Sequence, residues 1–325
     1  MRGRSIAVVA SVAAACALLP GPAAPQTYPA RPVRIIVPAQ PGGGLDLIGR
    51  TVAEQLGRSM GQTFIVDNIS GGGGTIATQT TARAAPDGYT LMVGYVGTHG
   101  TNPATRKVPY DAVKDFTAIA LVGGTPNVLV VHSSVPANSL KELIDYARKN
   151  PSKVSSATGG IGTLNHLTME QFKLAAGLDP VVVHYRRIGP ALTDLIAGQT
   201  QMLMPGLAAA LPHIRAKKLK PIAVTGLKRH PLVPDVPTFE ELGFPGFDGV
   251  QWYGIVGPAK LPPAITARLS AEIRKALAAP ALQQRLEGEA IQPMPMTPGE
   301  FSAFIESEIT RWSAFARERK ISLDE

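Results

Sequence analysis

The stretch Val33-Arg-Ile-Ile-Val-Pro38-Ala-Gln40-Pro-Gly42-Gly43-Gly44-Leu-Asp46 joins an apolar run to three consecutive glycines and an acidic residue. The apolar run is rich in Val and Ile, which predicts a strand at Val33–Pro38 that is buried on both faces. The residues after the glycines, Asp46–Ser59, predict a helix. Glycine lets a backbone approach a ligand closely, and a helix start presents unpaired N–H groups with a partial positive charge. This strand-turn-helix unit is therefore a candidate cradle for a carboxylate or phosphate.

Two further glycine clusters stand where a predicted strand passes into a predicted helix. They are Ser70-Gly71-Gly72-Gly73-Gly74-Thr75 and Thr158-Gly159-Gly160-Ile-Gly162-Thr163-Leu-Asn165-His166. In open α/β sheets, ligands bind at the carboxyl ends of strands, which is where such turns lie. The alternative is that some of these glycines only form tight turns.

Short strand patterns alternate with helix patterns as far as Trp252–Val256, which predicts βαβ units and an α/β fold of mostly parallel sheets flanked by helices. From Pro262 onward the pattern is almost wholly helical. In the last predicted helix, Pro298–Lys320, large apolar residues recur every three or four positions and should pack on a domain surface. Helix starts with a capping-box pattern stand at Ser139, Thr238 and Thr297.

The N-terminus reads as a secretion signal over residues 1–25. Arg2 and Arg4 precede an apolar run, Ile6–Leu19, and small residues follow, so we expect cleavage near Ala24 or Pro25. The apolar run is shorter than the roughly 20 residues of a membrane-spanning helix. The single cysteine, Cys16, lies inside this segment, and a lipid anchor on it is the alternative. We therefore expect a periplasmic protein of about 300 residues without disulfides, a length that suits two domains.

Several classes of function are disfavoured by the sequence. The net charge is +8 over the whole chain, but no run of Lys and Arg is interleaved with aromatics, so nucleic-acid binding is not expected. The pattern Gly72-x-Gly74-x-x-Ala77 fits a dinucleotide fingerprint but lacks the acidic residue that should end the next strand. We expect no cofactor. The six histidines show no metal-ligand spacing, and no Gly-x-Ser-x-Gly elbow is present, so neither a metal site nor a catalytic residue is predicted. An exported hydrolase stays as an alternative.

Ordered motifs along nearly the whole mature chain resemble the substrate-binding (Bug) receptors of tripartite tricarboxylate transporters. They include Tyr28-Pro-x-Arg-Pro-Val-Arg-Ile-Ile-Val-Pro38, Gly42-Gly43-Gly44-Leu-Asp46, Ala85-Pro-Asp-Gly-Tyr-Thr-Leu91, Pro109-Tyr110-Asp111, Gly162-Thr163-x-x-His166-Leu167, Pro190-Ala-Leu-Thr-Asp-Leu195 and Pro234-Asp-Val-Pro-Thr-Phe-x-Glu241. The resemblance implies a two-lobed, type II-like periplasmic-binding-protein fold. Lobe 1 would comprise residues 26–125 plus 250–325, and lobe 2 residues 126–249.

The same resemblance implies a receptor that captures a small organic carboxylate by hinged lobe closure. It would act as a monomer and deliver the ligand to the membrane components of the transporter; a sensory receptor is the alternative. The turns at Gly42–Asp46 and Gly159–His166 would face each other across the cleft. The family's ligand contacts then fall on eight residues: Gln40, Gly43, Gly44, Asp46, Thr158, Gly162, Thr163 and His166.

Two further residues are candidates from the sequence itself. Thr98 follows a predicted strand end and is expected to line the cleft, and Arg186 could pair with a second ligand carboxylate through its planar guanidinium. Three of the ten candidates have a structural alternative. Asp46 could simply favour the helix dipole, His166 could be a hydrogen-bonded core residue, and Arg186 could be a solvated surface charge. Near the expected cleft, Arg186-Arg187-Ile188-Gly189 stands where the family usually shows Lys-Gly after the tyrosine, so the identity of the acid stays open.

Overall fold

The computed structural model describes residues 28–323, so the predicted secretion signal at 1–25 lies outside the described residues. The strands are β1 Val33–Val37, β2 Phe64–Asn68, β3 Thr90–Tyr95, β4 Phe116–Pro126, β5 Val128–His132, β6 Ser155–Thr158, β7 Val181–His184, β8 Met202–Leu203, β9 Leu219–Val224, β10 Val250–Pro258 and β11 Gln292–Pro293. The helices are α1 Gly44–Met60, α2 Thr75–Ala82, α3 Asn102–Thr105, α4 Leu140–Lys149, α5 Leu164–Ala176, α6 Ile188–Ile196, α7 Leu207–Arg215, α8 Pro263–Leu277, α9 Pro280–Gly288 and α10 Pro298–Glu318.

The strands form two sheets. The first has the order β2-β1-β3-β10-β4-β11, and the second has the order β7-β6-β8-β5-β9. In the first sheet β1 to β4 run in one direction, while β10 and the short β11 run against them. In the second sheet only β5 is reversed. Each sheet is thus mixed, with four parallel and five antiparallel strand pairs over the two sheets, and the predicted α/β class is confirmed.

The two long reversed strands, β5 and β10, are those by which the chain enters a sheet from the other one. Only Asn127 separates the end of β4 from the start of β5, so β5 begins at the junction and runs away from it. The other main strands of both sheets run towards the junction, because β4 ends there and β9 ends opposite the start of β5. The carboxyl ends of β1 to β3 and of β6 to β8 therefore face the junction between the sheets.

Helices cover both faces of each sheet. One face of the first sheet packs on α1, α8 and α9, and Gly49 brings α1 so close that a Cβ there would lie 2.5 Å from Val37. The opposite face packs on α10, whose Phe301, Ile305 and Trp312 are buried. The predicted apolar stripe of this helix is therefore a packing surface. The α10 helix also contacts the second sheet's helices, since Trp312 lies in one cluster with Leu164 of α5.

Candidate functional site

The first glycine turn is shaped by the buried carboxylate of Asp46. Its Oδ2 accepts hydrogen bonds from the Gly42 N–H and the Arg50 Nε, each at 2.9 Å, and its Oδ1 accepts one from Asn68 at 3.0 Å. Burial alone would raise the pKa of Asp46, but these hydrogen bonds outweigh it and hold the pKa below its usual value. Asp46 is therefore ionised at neutral pH, and its oxygens are engaged by the protein. It positions the turn instead of offering a free acceptor.

The exposed part of this first turn is mainly its backbone. Gln40, Gly43 and Gly44 are exposed, and a Cβ on Gly43 would have no atom within 4 Å. The first N–H groups of a helix have no intrahelical acceptor, so α1 presents those of Gly44, Leu45 and Asp46 at this point. The N-cap, Gly43, contributes no side chain that could satisfy them. The turn is thus an open set of donors with the positive end of a 17-residue helix behind it.

Two tyrosines from neighbouring strands pair near this turn, Tyr253 beside Gly44 and Tyr95 against the turn after β2. Tyr253 of β10 lies directly opposite Tyr95 of β3, and its hydroxyl is 3.6 Å from the position of a Cβ on Gly44. Burial raises the pKa of each phenol to about 12, so both are neutral donors at physiological pH. Neither tyrosine was predicted from the sequence to be part of the site. Their position depends on the register of β10 against β3, and no local sequence pattern reports it.

Thr98 lies below the surface of the site. It is fully buried, and its Oγ1 donates to the carbonyl of Tyr95 at 3.2 Å and contacts His99 Nδ1 at 2.9 Å. Its methyl group fills the space next to Gly74, where a Cβ would come within 2.6 Å. The hydroxyl of Thr98 is thus used within the protein, and the residue supports the turn after β2 from beneath.

The second glycine turn, between β6 and α5, is held by side chains of the helix that follows it. The Gly159 N–H donates to Asn165 Oδ1 at 2.8 Å, and the Gly162 N–H donates to His166 Nδ1 at 3.1 Å. The Thr163 hydroxyl donates to the carbonyl of Gly160 at 2.6 Å. These bonds fix the loop and leave the N–H groups of Leu164 and Asn165, in the first turn of α5, as its available donors.

His166 is a neutral, buried histidine. Because its Nδ1 accepts from Gly162, its proton lies on Nε2, which is 4.0 Å from Glu170 Oε1. Burial lowers the pKa of His166 to about 4, although Glu170 partly opposes the shift. Thr158, which ends β6, is also buried and shares a 3.0 Å hydrogen bond with His184. Both residues therefore shape the second turn from behind.

The two turns belong to the same face of the molecule, since both follow strands that end at the junction. The second turn touches the first sheet's elements directly: a Cβ on Gly162 would lie 2.5 Å from Thr105 Oγ1, at the end of α3. Arg186 is exposed on the connection from β7 to α6, and this connection lies against the second turn, with Ile188 N 3.1 Å from the Cβ position of Gly159. Arg186 thus stands at the rim of the site.

Among residues 28–323, no group of three or more His, Cys, Asp or Glu side chains is placed to hold a metal ion. Within the same range, no helix has both the length and the apolar character needed to cross a membrane. A cavity of about 650 Å³ lies between α1 and β2, and its lining includes Arg50, Glu54 and Arg58 but none of the predicted site residues.

Both the sequence and the structure of this chain are similar to those of known proteins. Residues 48–321 match the family described as TctC, tripartite tricarboxylate transporter family receptor. Among solved structures, Rpa4515 of R. palustris with adipate is 32% identical, with a TM-score of 0.82 over 91% of this chain and 99% of that one. MatC (Rpa3494) of Rhodopseudomonas palustris with bound malate is 33% identical, with a TM-score of 0.77 over 89% and 99%. The periplasmic binding protein BugD is 32% identical, with a TM-score of 0.79 over 91% and 99%.

Proposed function

Because this chain belongs to the tripartite tricarboxylate transporter receptor family, we propose that it captures a small organic carboxylate in the periplasm and delivers it to the membrane components of such a transporter. The family is one of solute-binding receptors and not of enzymes, which removes the hydrolase alternative. Its relatives Rpa4515 and MatC were solved with adipate and malate, both of which are small carboxylates. The observation that carries the proposal for this chain is the pair of helix N-termini, those of α1 and α5, at the junction of the two sheets.

The proposed ligand contacts are mostly backbone. One carboxylate of the guest accepts hydrogen bonds from the first N–H groups of α1 and α5, which follow the exposed turn around Gly43 and the largely buried turn around Gly162. Such donors are fixed before the ligand arrives, so they lose little entropy on binding. Gln40 and Thr163 border the turns. Asp46, Thr98, Thr158 and His166 act through the turns that they hold, by the contacts described above.

Capture proceeds by closure of two lobes, residues 26–125 plus 250–325 and residues 126–249. The segments that join the lobes are held by Asn127, whose N–H donates to Thr225 Oγ1 at 2.8 Å and whose Oδ1 accepts from Gln251 at 3.3 Å. Asn127 is fully buried, so these bonds keep the crossing point fixed while dihedral changes on either side allow rotation. A ligand bound to both turns favours the closed form by its contacts with each lobe.

A direct test is calorimetric titration of the purified protein with adipate, malate, succinate and citrate, each beside its uncharged amide. We expect at least one acid to bind and no amide to bind, because the donors recognise negative charge. If the amides bind as well as the acids, or if only sugars or cations bind, the carboxylate proposal is wrong.

Gly43→Asp provides the matched variant. Gly43 has φ −97° and free space around its Cβ position, so a side chain fits without strain. Aspartate is a favourable N-cap residue whose carboxylate would occupy the α1 donors. We expect an unchanged or slightly higher melting temperature and at least a tenfold loss of acid affinity. Gly299→Asp, in the first turn of α10 with equal free space, should leave the affinity unchanged. Equal affinity in G43D and the parent protein would contradict the proposed role of this turn.

A further inference from the structure

Among residues 28–323, Arg106 is a half-buried cation without an acidic partner. It follows α3 directly, and its Nη1 lies 3.4 Å from the position of a Cβ on Gly73, in the turn after β2. Its Nε is buried and has no hydrogen-bond acceptor. Many other arginines and lysines of residues 28–323 form ion pairs with Asp or Glu, but within this range Arg106 forms none. Partly buried arginines normally find an acceptor, so this guanidinium has unused donor capacity.

The environment of Arg106 connects it to the wall of the proposed site. The carbonyl of Gly73, beside the guanidinium, accepts hydrogen bonds from the Tyr95 hydroxyl at 3.2 Å and the Asn102 amide at 2.9 Å. Tyr95 in turn lies opposite Tyr253, whose hydroxyl stands next to Gly44 at the start of α1. Arg106 therefore belongs to the same wall as the first turn.

The second turn reaches the same place. Thr105, the residue before Arg106, is the one that Gly162 abuts at the junction. Burial raises the pKa of Tyr95 to about 12, and the positive charge of Arg106 partly offsets that rise, which fits a guanidinium close to the phenol ring. Arg106 therefore lies between the turn after β2, which its guanidinium contacts, and the point where Gly162 meets Thr105.

We propose that Arg106 pairs with the second carboxylate of a small dicarboxylate whose first carboxylate lies on the N–H groups of α1 and α5. The planar guanidinium can donate two parallel hydrogen bonds to a carboxylate, which fixes its orientation and distance. This inference rests on the proposed function and names its substrate class, with Arg106 as the specificity-determining residue. Arg186 is the competing cation, but it is exposed and hydrated at the rim, whereas Arg106 is held against Gly73 with its Nε already out of water.

The test is calorimetric titration with succinate, glutarate, adipate and pimelate, each compared with its monomethyl ester. For the best diacid, we expect the parent protein to bind the diacid at least tenfold more tightly than the ester. In Arg106→Gln the diacid should bind no more tightly than the ester, while the affinity for the ester changes less than threefold. Arg106→Lys keeps the positive charge but loses the planar guanidinium, so it should retain only part of the preference for the diacid over the ester. Arg83→Gln, at an exposed arginine after α2, removes the same charge elsewhere and should have no effect.

The outcomes separate the two claims. If no diacid or ester binds, and malate and citrate do not bind either, the proposed function itself fails. If both bind equally to the parent protein, or if R106Q keeps the preference for the diacid, the acid receptor stands and the role of Arg106 is wrong. If Arg186→Gln loses the preference for the diacid over the ester and R106Q keeps it, the second carboxylate pairs with Arg186 and not with Arg106. A melting curve of R106Q that matches that of the parent protein establishes that the variant is folded.

Discussion

Charged and polar residues of the site mostly act on the backbone that surrounds the ligand. Asp46 and His166 were candidates for direct contact, and each has its acceptor atoms engaged by a glycine N–H of its own turn. This arrangement suits a receptor that uses backbone donors, because a loop of glycines would otherwise sample many conformations before binding. The side chains reduce that freedom, and the N–H groups at the starts of α1 and α5 are then fixed for the proposed guest.

The neutral state of His166 leads to a prediction about pH. Its pKa of about 4 in the folded protein lies below the value of about 6.5 expected in the unfolded chain. Between these values the unfolded state binds more protons, so the stability that is present above about pH 6.5 is lost as the pH falls towards 4. His99, whose pKa burial lowers to about 3, acts in the same direction. We expect the melting temperature to fall steadily from about pH 7 to about pH 4.5.

The contribution of His166 is isolated by His166→Asn. Asparagine can still accept from the Gly162 N–H but takes up no proton, so the melting temperature of H166N should depend less on pH than that of the parent protein. His213→Asn, on the partly exposed side of α7, is the control and should keep the parent dependence. Identical pH profiles for H166N and the parent protein would show that the imidazole has no such role.

Strand, glycine and helix signals in the sequence are local, so they predicted the strand-turn-helix units at both glycine turns, and the family resemblance then supplied the predicted contact residues. It missed Tyr253 and Arg106. Tyr253 enters the site through its pairing with Tyr95, and Arg106 through the packing of α3 against the turn at Gly73. Both placements depend on contacts between segments that are separated in the sequence and are brought together only by the fold. No periodicity or motif in the sequence reports such contacts.

At the scale of elements, capping signals were informative but did not always start a helix. The Thr297–Glu300 box is complete at the start of α10, and Ser139 Oγ accepts from the Glu142 N–H at the start of α4. Thr238 and Glu241 also bond to each other in both directions, at 3.1 and 2.9 Å. No helix follows them, since Gly243 and Gly246 adopt positive φ within the next few residues and turn the chain. The box specifies a local turn, and the residues after it decide whether a helix continues.

The packing of α10 on the first sheet depends on a glycine in β10. A Cβ on Gly254 would lie 2.3 Å from Phe301 Cζ and 3.0 Å from the carbonyl of Ala120. We expect Gly254→Ala to reduce the free energy of unfolding by about 2 kcal/mol, the order of cost for overpacking a core. Urea denaturation measures the change.

The control for this substitution is Gly288→Ala at the end of α9, where a Cβ would meet no atom within 4 Å. It should leave the free energy of unfolding unchanged or raise it by up to about 1 kcal/mol, because alanine restricts the unfolded chain. A cost in G254A no larger than in G288A would mean that α10 can shift away from the sheet without loss.

For the whole molecule, the alternation of strands and helices was sufficient to predict the α/β class, while the sheets themselves are mixed. That alternation does not predict the direction of β5 and β10. Each is reversed because the chain crosses from the first sheet to the second at Asn127 and returns before Val250. These crossings have the consequence that matters for function. They turn the carboxyl ends of both sheets towards one junction, so two helix N-termini from distant parts of the chain can act on one guest.

The central claim is that N–H groups after both turns bind the same anion. Backbone amide NMR of the ¹⁵N-labelled protein, titrated with the acid that binds most tightly, measures this directly. We expect the amide signals of Gly44 and Leu45 in the first turn, and of Leu164 and Asn165 in the second, to shift with one common dissociation constant. Shifts in only one turn, or in neither while the acid still binds, would contradict the account.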